Sequence, residues 1–288
     1  MRNFDEKNIT DAVIERFADC TSARARQISA SLVRHLHDFL RDVRPTQAEW
    51  EQAIDFLTRT GQMCSATRQE FILLSDTLGA SMLVDAINHH LPGVATETTV
   101  LGPFYVEHAP EVPCGARIAA PDEGPPLLIE GSVRSLDGQP LANAAVDIWH
   151  ADDAGFYDVQ KNDGHLSGRA RVRTDANGNF WVIGVVPAAY PIPDDGPVGQ
   201  MLKAQGRHSF RPAHVHFMIA APEHETLVTH LFLAESDYLD SDVVFGVKDS
   251  LIETLGTAEP GVTPYGAVVQ SPMPVLRRDF VLGKPLVG

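Results

Sequence analysis

The chain has 288 residues, with 23 basic against 38 acidic side chains, a net charge of −15 and a hydrophobic content of 44%. A core of ordinary size follows, while a nucleic-acid partner is disfavoured, because phosphates are met by clustered Lys and Arg. No stretch reaches the roughly 20 apolar residues that span a bilayer, the polar N-terminus carries no apolar signal core, and Cys20, Cys64 and Cys114 lack CxxC spacing, as expected of free thiols in a reducing cytoplasm.

Residues 1–95 read as helical. Ile28, Leu32, Leu36, Phe39, Leu40 and Val43 make one apolar stripe on a long helix, which Pro45 ends. Thr46 stands three residues before Glu49, a capping box that opens a second helix lined by Trp50, Ile54 and Leu57 and stopped near Gly61. Further helices are predicted over 68–78 and 81–88, before Pro92, and His35, His37, His89 and His90 fall on helix surfaces or ends. The apolar stripe suits either an intramolecular helix contact or a second copy of the chain.

From residue 96 the grammar changes to short alternating runs between Gly, Pro and Asx turns. Strands are predicted over 129–134, ending at the Asp137-Gly138 turn, and over 145–149. Two more, 169–174 and 180–185, flank Asn177-Gly178, a hairpin signal. The last two are 214–219 and Leu227–Leu233. The expected fold is mainly β: an antiparallel β-sandwich over 96–288 behind an N-terminal α-helical domain over 1–95.

The stretch Arg211-Pro212-Ala213-His214-Val215-His216-Phe217 carries the chemistry. Alternate strand residues share a face, so His214 and His216 point one way while Val215, Phe217 and Ile219 point into an apolar layer. Two neighbouring imidazoles suit iron, zinc, copper or nickel; alone, the pair is a weak signal that better suits a buried, hydrogen-bonded role. Tyr157 and Tyr190 lie in Gly155-Phe156-Tyr157 and Pro187-Ala188-Ala189-Tyr190. A phenol titrates near ~10, so a phenolate ligand needs a strongly charged cation such as iron(III); alone, each ring equally suits the core.

Taken together and in this order, these motifs resemble the intradiol ring-cleavage dioxygenases. The resemblance covers most of the chain, including Leu101-Gly102-Pro103-Phe104-Tyr105 and the helical N-terminal part. It implies one non-haem Fe(III) per subunit, held by Tyr157 and His216 as equatorial ligands and by Tyr190 and His214 as axial ones, with a solvent hydroxide. Arg211 would offset charge on the substrate ring, and Tyr190 would take up a substrate proton. The activity implied is opening of an aromatic diol between its hydroxyl-bearing carbons, both atoms of O2 entering the product.

The run from Tyr190 to Gly199, His230 where catechol enzymes carry a glutamine, and Leu73-Leu74-Ser75-Asp76 are all similar to the hydroxyquinol-cleaving branch. That branch converts benzene-1,2,4-triol to 3-hydroxy-cis,cis-muconate, which tautomerises to maleylacetate. The alternative is a catechol or chlorocatechol substrate giving a cis,cis-muconate. The pocket wall implied is Leu73, Asp76, Val100, Gly102, Pro103, Phe104, Ile192, Pro193, Arg211, His230 and Val244, with Asp76 accepting from the third hydroxyl. The family also implies a homodimer through the helical part and, in some members, a phospholipid in an apolar tunnel there.

Two readings from other classes compete. A non-catalytic sandwich module explains the turns but neither the HxH pair nor the tyrosines. A zinc hydrolase built on His214, His216 and either His230 or His208 leaves Tyr157 and Tyr190 without a role.

Overall fold

Thr46 and Glu49 close the capping box: the Thr46 amide donates to the Glu49 carboxylate (2.7 Å) and the Glu49 amide to the Thr46 hydroxyl (3.3 Å). The computed structural model describes residues 2–65, 68–89, 94–161 and 164–285, so His90 and Pro92 lie outside the described residues. The chain forms two compact units, Met1–Arg59 and Thr60–Gly288. In the first, α1 (Ile9–Glu15) precedes α2 (Ala23–Val43) and most of α3 (Gln47–Gln62). Ser22 caps α2 by accepting from the Ala25 amide, and Arg44 turns left-handed ahead of Pro45 to end it. Helix α3 runs one residue past Gly61.

The second unit opens with α4 (Glu70–Thr77) and α5 (Ala80–Asn88). The strands follow as β1 (Glu111–Val112), β2 (Pro126–Ser135), β3 (Ala145–His150), β4 (Arg169–Arg173) and β5 (Asn179–Val185). Next come β6 (Tyr190–Pro191), β7 (Phe210–Arg211), β8 (His214–Ala220), β9 (Leu227–Leu233) and β10 (Ile252–Glu253). The last are β11 (Gly256–Ala258), β12 (Gly261–Val262), β13 (Val268–Val269) and β14 (Met273–Leu282). Helix α6 (Asp158–Lys161) follows β3, and α7 (Pro197–Ala204) follows β6.

Two sheets stack, one ordered β1-β4-β3-β8-β9-β10 and the other β11-β14-β2-β5. The sandwich is mainly antiparallel but mixed, which corrects the purely antiparallel expectation: β1 with β4, β10 with β9 and β14 with β2 run parallel. Parallel neighbours need a long connection, and residues 136–272 provide one between β2 and β14.

The Asn177-Gly178 turn forms, but it does not close a hairpin. Asp175 accepts from the Asn177 and Asn179 amides (both 2.8 Å), yet β4 belongs to the six-stranded sheet and β5 to the four-stranded one. The turn therefore carries the chain from one layer to the other.

The core lies between the sheets. Leu127, Ile129, Phe180, Val182, Leu276 and Phe280 meet Val146, Ile148, Val215, Phe217 and Ile219 across it. Phe217 and Phe280 lie 4.8 Å apart, and both touch Phe180. With Val215 and Phe217 committed to this layer, the pleat turns His214 and His216 to the opposite face of β8.

One core imidazole is not part of that outward set. His150, at the end of β3, is buried with its Nδ1 on the Ala151 carbonyl (2.8 Å) and no partner at Nε2. Burial, reinforced by Arg169, holds its pKa below the usual 6.5. The unfolded chain takes up this proton more readily, so the stabilising contribution is intact above pH 6.5 and is lost as pH falls toward the folded-state value. His150→Gln is expected to flatten the pH slope of unfolding free energy just below pH 6.5, where the unfolded chain takes up this proton and the folded one does not. Urea titrations at several pH values would measure it, and an unchanged slope would contradict the assignment.

Candidate metal centre

The centre is built on three neighbouring strands. Trp149 of β3 pairs with His216 of β8, which pairs with His230 of β9; His214 pairs with Phe232. The Trp149 indole stacks on the His216 ring (centroids 4.6 Å apart, 14° between planes), and His230 meets that ring edge-on at 4.1 Å. Among the described residues, His214, His216 and His230 form a group of imidazoles, with nitrogens within 4.8 Å of one another, that could hold a metal ion.

Two loop tyrosines complete it. Asp152, just after β3, accepts from the amides of Ala154 and Phe156 and so folds the turn that aims Tyr157 inward. Gly155 sits in that turn at φ +84, and a Cβ there would lie 2.9 Å from the Tyr190 Cβ, so only glycine lets the two tyrosine segments approach. The Asp152 carbonyl takes the Ala188 amide, tying in the strand that begins with Tyr190. Tyr190 then pairs with Arg211 in the short β6–β7 ribbon.

The donor atoms converge. Tyr157 Oη lies 3.0 Å from His216 Nε2, 3.5 Å from His214 Nε2 and 3.4 Å from Tyr190 Oη; the two Nε2 atoms are 3.1 Å apart. All four side chains are buried. His214 Nδ1 donates to the Pro212 carbonyl (2.7 Å), which leaves the Nε2 lone pair facing the centre. Burial pushes His214 down to about 3, with Arg211 adding to the effect, and holds His216 well below 6.5. Both imidazoles are therefore neutral donors at neutral pH. Burial also raises both phenols, Tyr157 well above its usual 10, with Tyr190 contributing.

His230 is differently engaged. Its Nδ1 lies 3.4 Å from both Arg211 Nη2 and the Thr99 hydroxyl. The Tyr157 phenol instead gathers with the Nε2 atoms of His214 and His216, 3.5 and 3.0 Å from its Oη. His208 is exposed and bonds Ser241, away from the centre. The set with two phenols and two imidazoles thus fits a metal better than the three-histidine set of a zinc hydrolase.

Around these donors lies an apolar wall. Leu73, Val100, Phe104, Ile192 and Val244 join Trp149, Tyr157 and Tyr190 in one buried group, and Phe104 stacks on Tyr157 at 4.4 Å. Asp76 is buried at the end of α4; burial raises its pKa, and it feels the charges of Arg211 and Asp242. Pro103 is exposed and Pro193 half-buried, so both stand at the margin of this wall. Arg211 is buried and bonds Asp242 through Nε (3.1 Å) and Nη2 (3.2 Å), with Nη1 3.3 Å from His214 Nε2.

Sequence reasoning missed Asp242, Trp149, Thr99 and the buried pair Asp158–Arg169. Arg169 grips Asp158 through Nε (2.6 Å) and donates from Nη1 to the Phe104 carbonyl (2.9 Å), tying the residue after Tyr157 to the loop that covers it. The available signal was chemical: a buried arginine requires a carboxylate, although sequence does not say which.

Gly102 gives a direct test of the packing. It adopts φ +77, and a Cβ there would stand 3.2 Å from His216 Cε1. Gly102→Ala is expected to displace the His216 ring and lower stability by about 1–3 kcal/mol. Denaturant melts and the His216 imidazole NMR resonances would report it; unchanged values in both would show that the loop stands farther from the ring.

Comparison with known proteins identifies the family. Residues 100–276 match the family described as Dioxygenase, and residues 22–96 match Catechol dioxygenase N terminus. The 6-chlorohydroxyquinol 1,2-dioxygenase of Cupriavidus pinatubonensis is 55% identical over 88% of this chain and 92% of its own length. The hydroxyquinol 1,2-dioxygenase of Nocardioides simplex is 46% identical over 96% and 95%. The crystal structure of hydroxyquinol 1,2-dioxygenase from Pseudomonas putida DLL-E4 superposes with a TM-score of 0.90 at 47% identity, covering 97% of this chain and 98% of that one. Sequence match and shared architecture together make this chain a member of the intradiol ring-cleavage dioxygenases.

Proposed function

We propose that this enzyme cleaves benzene-1,2,4-triol with O2 to 3-hydroxy-cis,cis-muconate, the tautomer of maleylacetate, at one non-haem Fe(III) per subunit. The observation that carries the reading is the convergence of Tyr157, Tyr190, His214 and His216 on one buried point. The donor set fits ferric iron. Two phenols whose pKa burial has raised give up their protons to solvent only beside a strongly charged cation, and two neutral imidazoles complete a borderline-hard set. When bound, the ferric ion supplies Lewis acidity that favours the deprotonated diol and makes its ring reactive toward O2.

The protein's own groups do the rest. Tyr190 Oη accepts a diol proton as substrate binds. Arg211, fixed beside His214, stabilises negative charge on the ring. Leu73, Val100, Phe104, Ile192 and Val244 form a water-excluding wall, Gly102 keeps the floor open beside His216, and Pro103 and Pro193 edge the mouth. Asp76 accepts from the third hydroxyl, and His230 takes part in substrate binding. Similarity to the hydroxyquinol-cleaving relatives supports the triol over catechol or a chlorocatechol.

Residues 96–288 carry catalysis in this reading, and residues 1–95 carry dimerisation and, through α4, part of the pocket. The matched segments 22–96 and 100–276 favour that boundary. Ile28, Leu32, Leu36, Phe39 and Val43 are exposed on α2, as are Trp50, Ile54 and Leu57 on α3, which supports a homodimer and an apolar tunnel for a phospholipid. The free thiols Cys20, Cys64 and Cys114 favour the cytoplasm.

Two measurements test this. Iron-loaded protein should show a broad visible phenolate-to-iron band, and Tyr157→Phe or His216→Ala should cut iron retention and kcat/KM by more than about 100-fold. A colourless, iron-replete protein would contradict phenolate ligation, and a higher kcat/KM for catechol or 4-chlorocatechol than for the triol would reassign the substrate. For assembly, light scattering should give a dimer for the native chain and a monomer for a Leu32→Glu, Leu36→Glu variant; a native monomer at micromolar concentration would remove the dimer. Organic extraction with mass spectrometry should recover the lipid.

A further inference from the structure

The Arg211 guanidinium reaches three side chains at once, Asp242, His214 and His230, and the first has no place in the mechanism above. Asp242 lies in the loop after β9, buried, and its two oxygens receive Nε and Nη2 of Arg211. The same two oxygens also take backbone amides: Oδ1 accepts from Val244 (3.3 Å) and Oδ2 from Gly246 (2.9 Å). Val243 and Val244 belong to the apolar wall that contains Tyr157, Tyr190 and Ile192. One carboxylate therefore joins the guanidinium to the wall.

The loop has other anchors, but they hold a different part of it. Arg207 donates to the Val243 carbonyl (2.9 Å) and to the Thr77 carbonyl at the end of α4 (2.7 Å), and the Val243 amide donates to the Phe210 carbonyl (3.2 Å). These bonds hold the loop backbone to α4 and β7 without touching Arg211. Asp242 is the carboxylate that pairs with the Arg211 fork, taking Nε and Nη2 together. Without it, the guanidinium retains the neutral imidazoles of His214 and His230 as neighbours, and neither offsets a buried positive charge.

We propose that Asp242 is a positioning residue for ring cleavage. It acts through Arg211, holding the guanidinium against the diol site, and it sets Val244 at the matching distance, so that charge and wall together select among diols. Asp76, buried at the end of α4, is close enough to feel both charges. The selecting unit is thus the Arg211–Asp242 pair together with the wall at Val244. The inference rests on the pocket described above, but not on which diol fills it.

The test is a double-mutant cycle on iron-loaded enzyme with Asp242→Asn, Arg211→Met and the combination, assayed on the triol and on catechol. Asp242→Asn should keep native iron content and the visible band. It should lower kcat/KM for the preferred diol at least 30-fold, mainly in kcat, and shift the triol-to-catechol ratio at least 10-fold. The combined variant should be within 3-fold of Arg211→Met alone, because both act through one group.

Multiplying losses, a kcat/KM within 3-fold of native for Asp242→Asn, or a loss that appears as missing iron would overturn the proposal. If Asp242→Asn does not fold, Asp242→Glu keeps the charge while lengthening the arm. It should retain iron and shift the ratio, and an unshifted ratio overturns the proposal equally. A native enzyme that prefers catechol would refute the substrate assignment while leaving the cycle valid on catechol. A native enzyme without a visible band would refute the iron reading before any variant is made.

Discussion

Everything in the centre depends on the two-residue period of β8. Because Val215, Phe217 and Ile219 are locked between the sheets, His214 and His216 have one available face. A slip of one residue would bury both imidazoles in the core and expose three large apolar side chains, so the apolar layer sets the register of the donors. The neighbouring strands use the same lock: Val146 and Ile148 direct Trp149 outward onto His216, and Leu231 and Leu233 direct His230 outward beside it. Hydrophobic burial, which has no direction of its own, is converted by the pleat into an oriented set of imidazole nitrogens.

The tyrosines need a different device, because neither Tyr157 nor Tyr190 belongs to the two main sheets. Their segments are held by buried polar groups: Asp152 folds the turn before Tyr157, Arg169 joins Asp158 to the Phe104 carbonyl, and Tyr190 pairs with Arg211. Such groups are stabilising only when fully paired, and here the pairing doubles as alignment. The centre is thus half sheet and half loop, with rigid imidazoles on one side and phenols on the other.

Much of this was legible in the sequence. The Thr46/Glu49 cap, strand Leu227–Leu233 and the alternation in β8 all follow from local rules, and the ordered Tyr-Tyr-His-His motifs named the family. Long-range pairing was not legible. Asn177-Gly178 has hairpin chemistry, but which sheet each flanking strand joins is decided by distant partners, β3 for β4 and β2 for β5. The longest strand partner of β2, β14, begins Met273-Pro274-Val275 and carries Arg277-Arg278-Asp279 in its middle, so it shows no clean alternation. Its parallel register with β2 and the pairing of Arg277 with Glu130 make it a strand. Helix α7 hides in a proline-rich run, where Pro197 occupies its first turn.

The electrostatics of the centre resolve an apparent conflict. A guanidinium 3.3 Å from His214 Nε2 repels any cation placed among these donors, yet the proposed reaction calls for both a cation and a positive group beside the ring. Asp242 removes most of the repulsion by neutralising Arg211 at close range: burial works against its charge, but Arg211 still holds its carboxyl below the usual carboxylate range. The pair is a dipole rather than a bare charge, with Nη1 at its positive end turned toward His214 Nε2. A dipole of fixed direction acts on charge that develops nearby while disturbing the metal donors less than a free cation would. The buried pair therefore lets charge stabilisation and metal binding share a few ångströms of low-dielectric space.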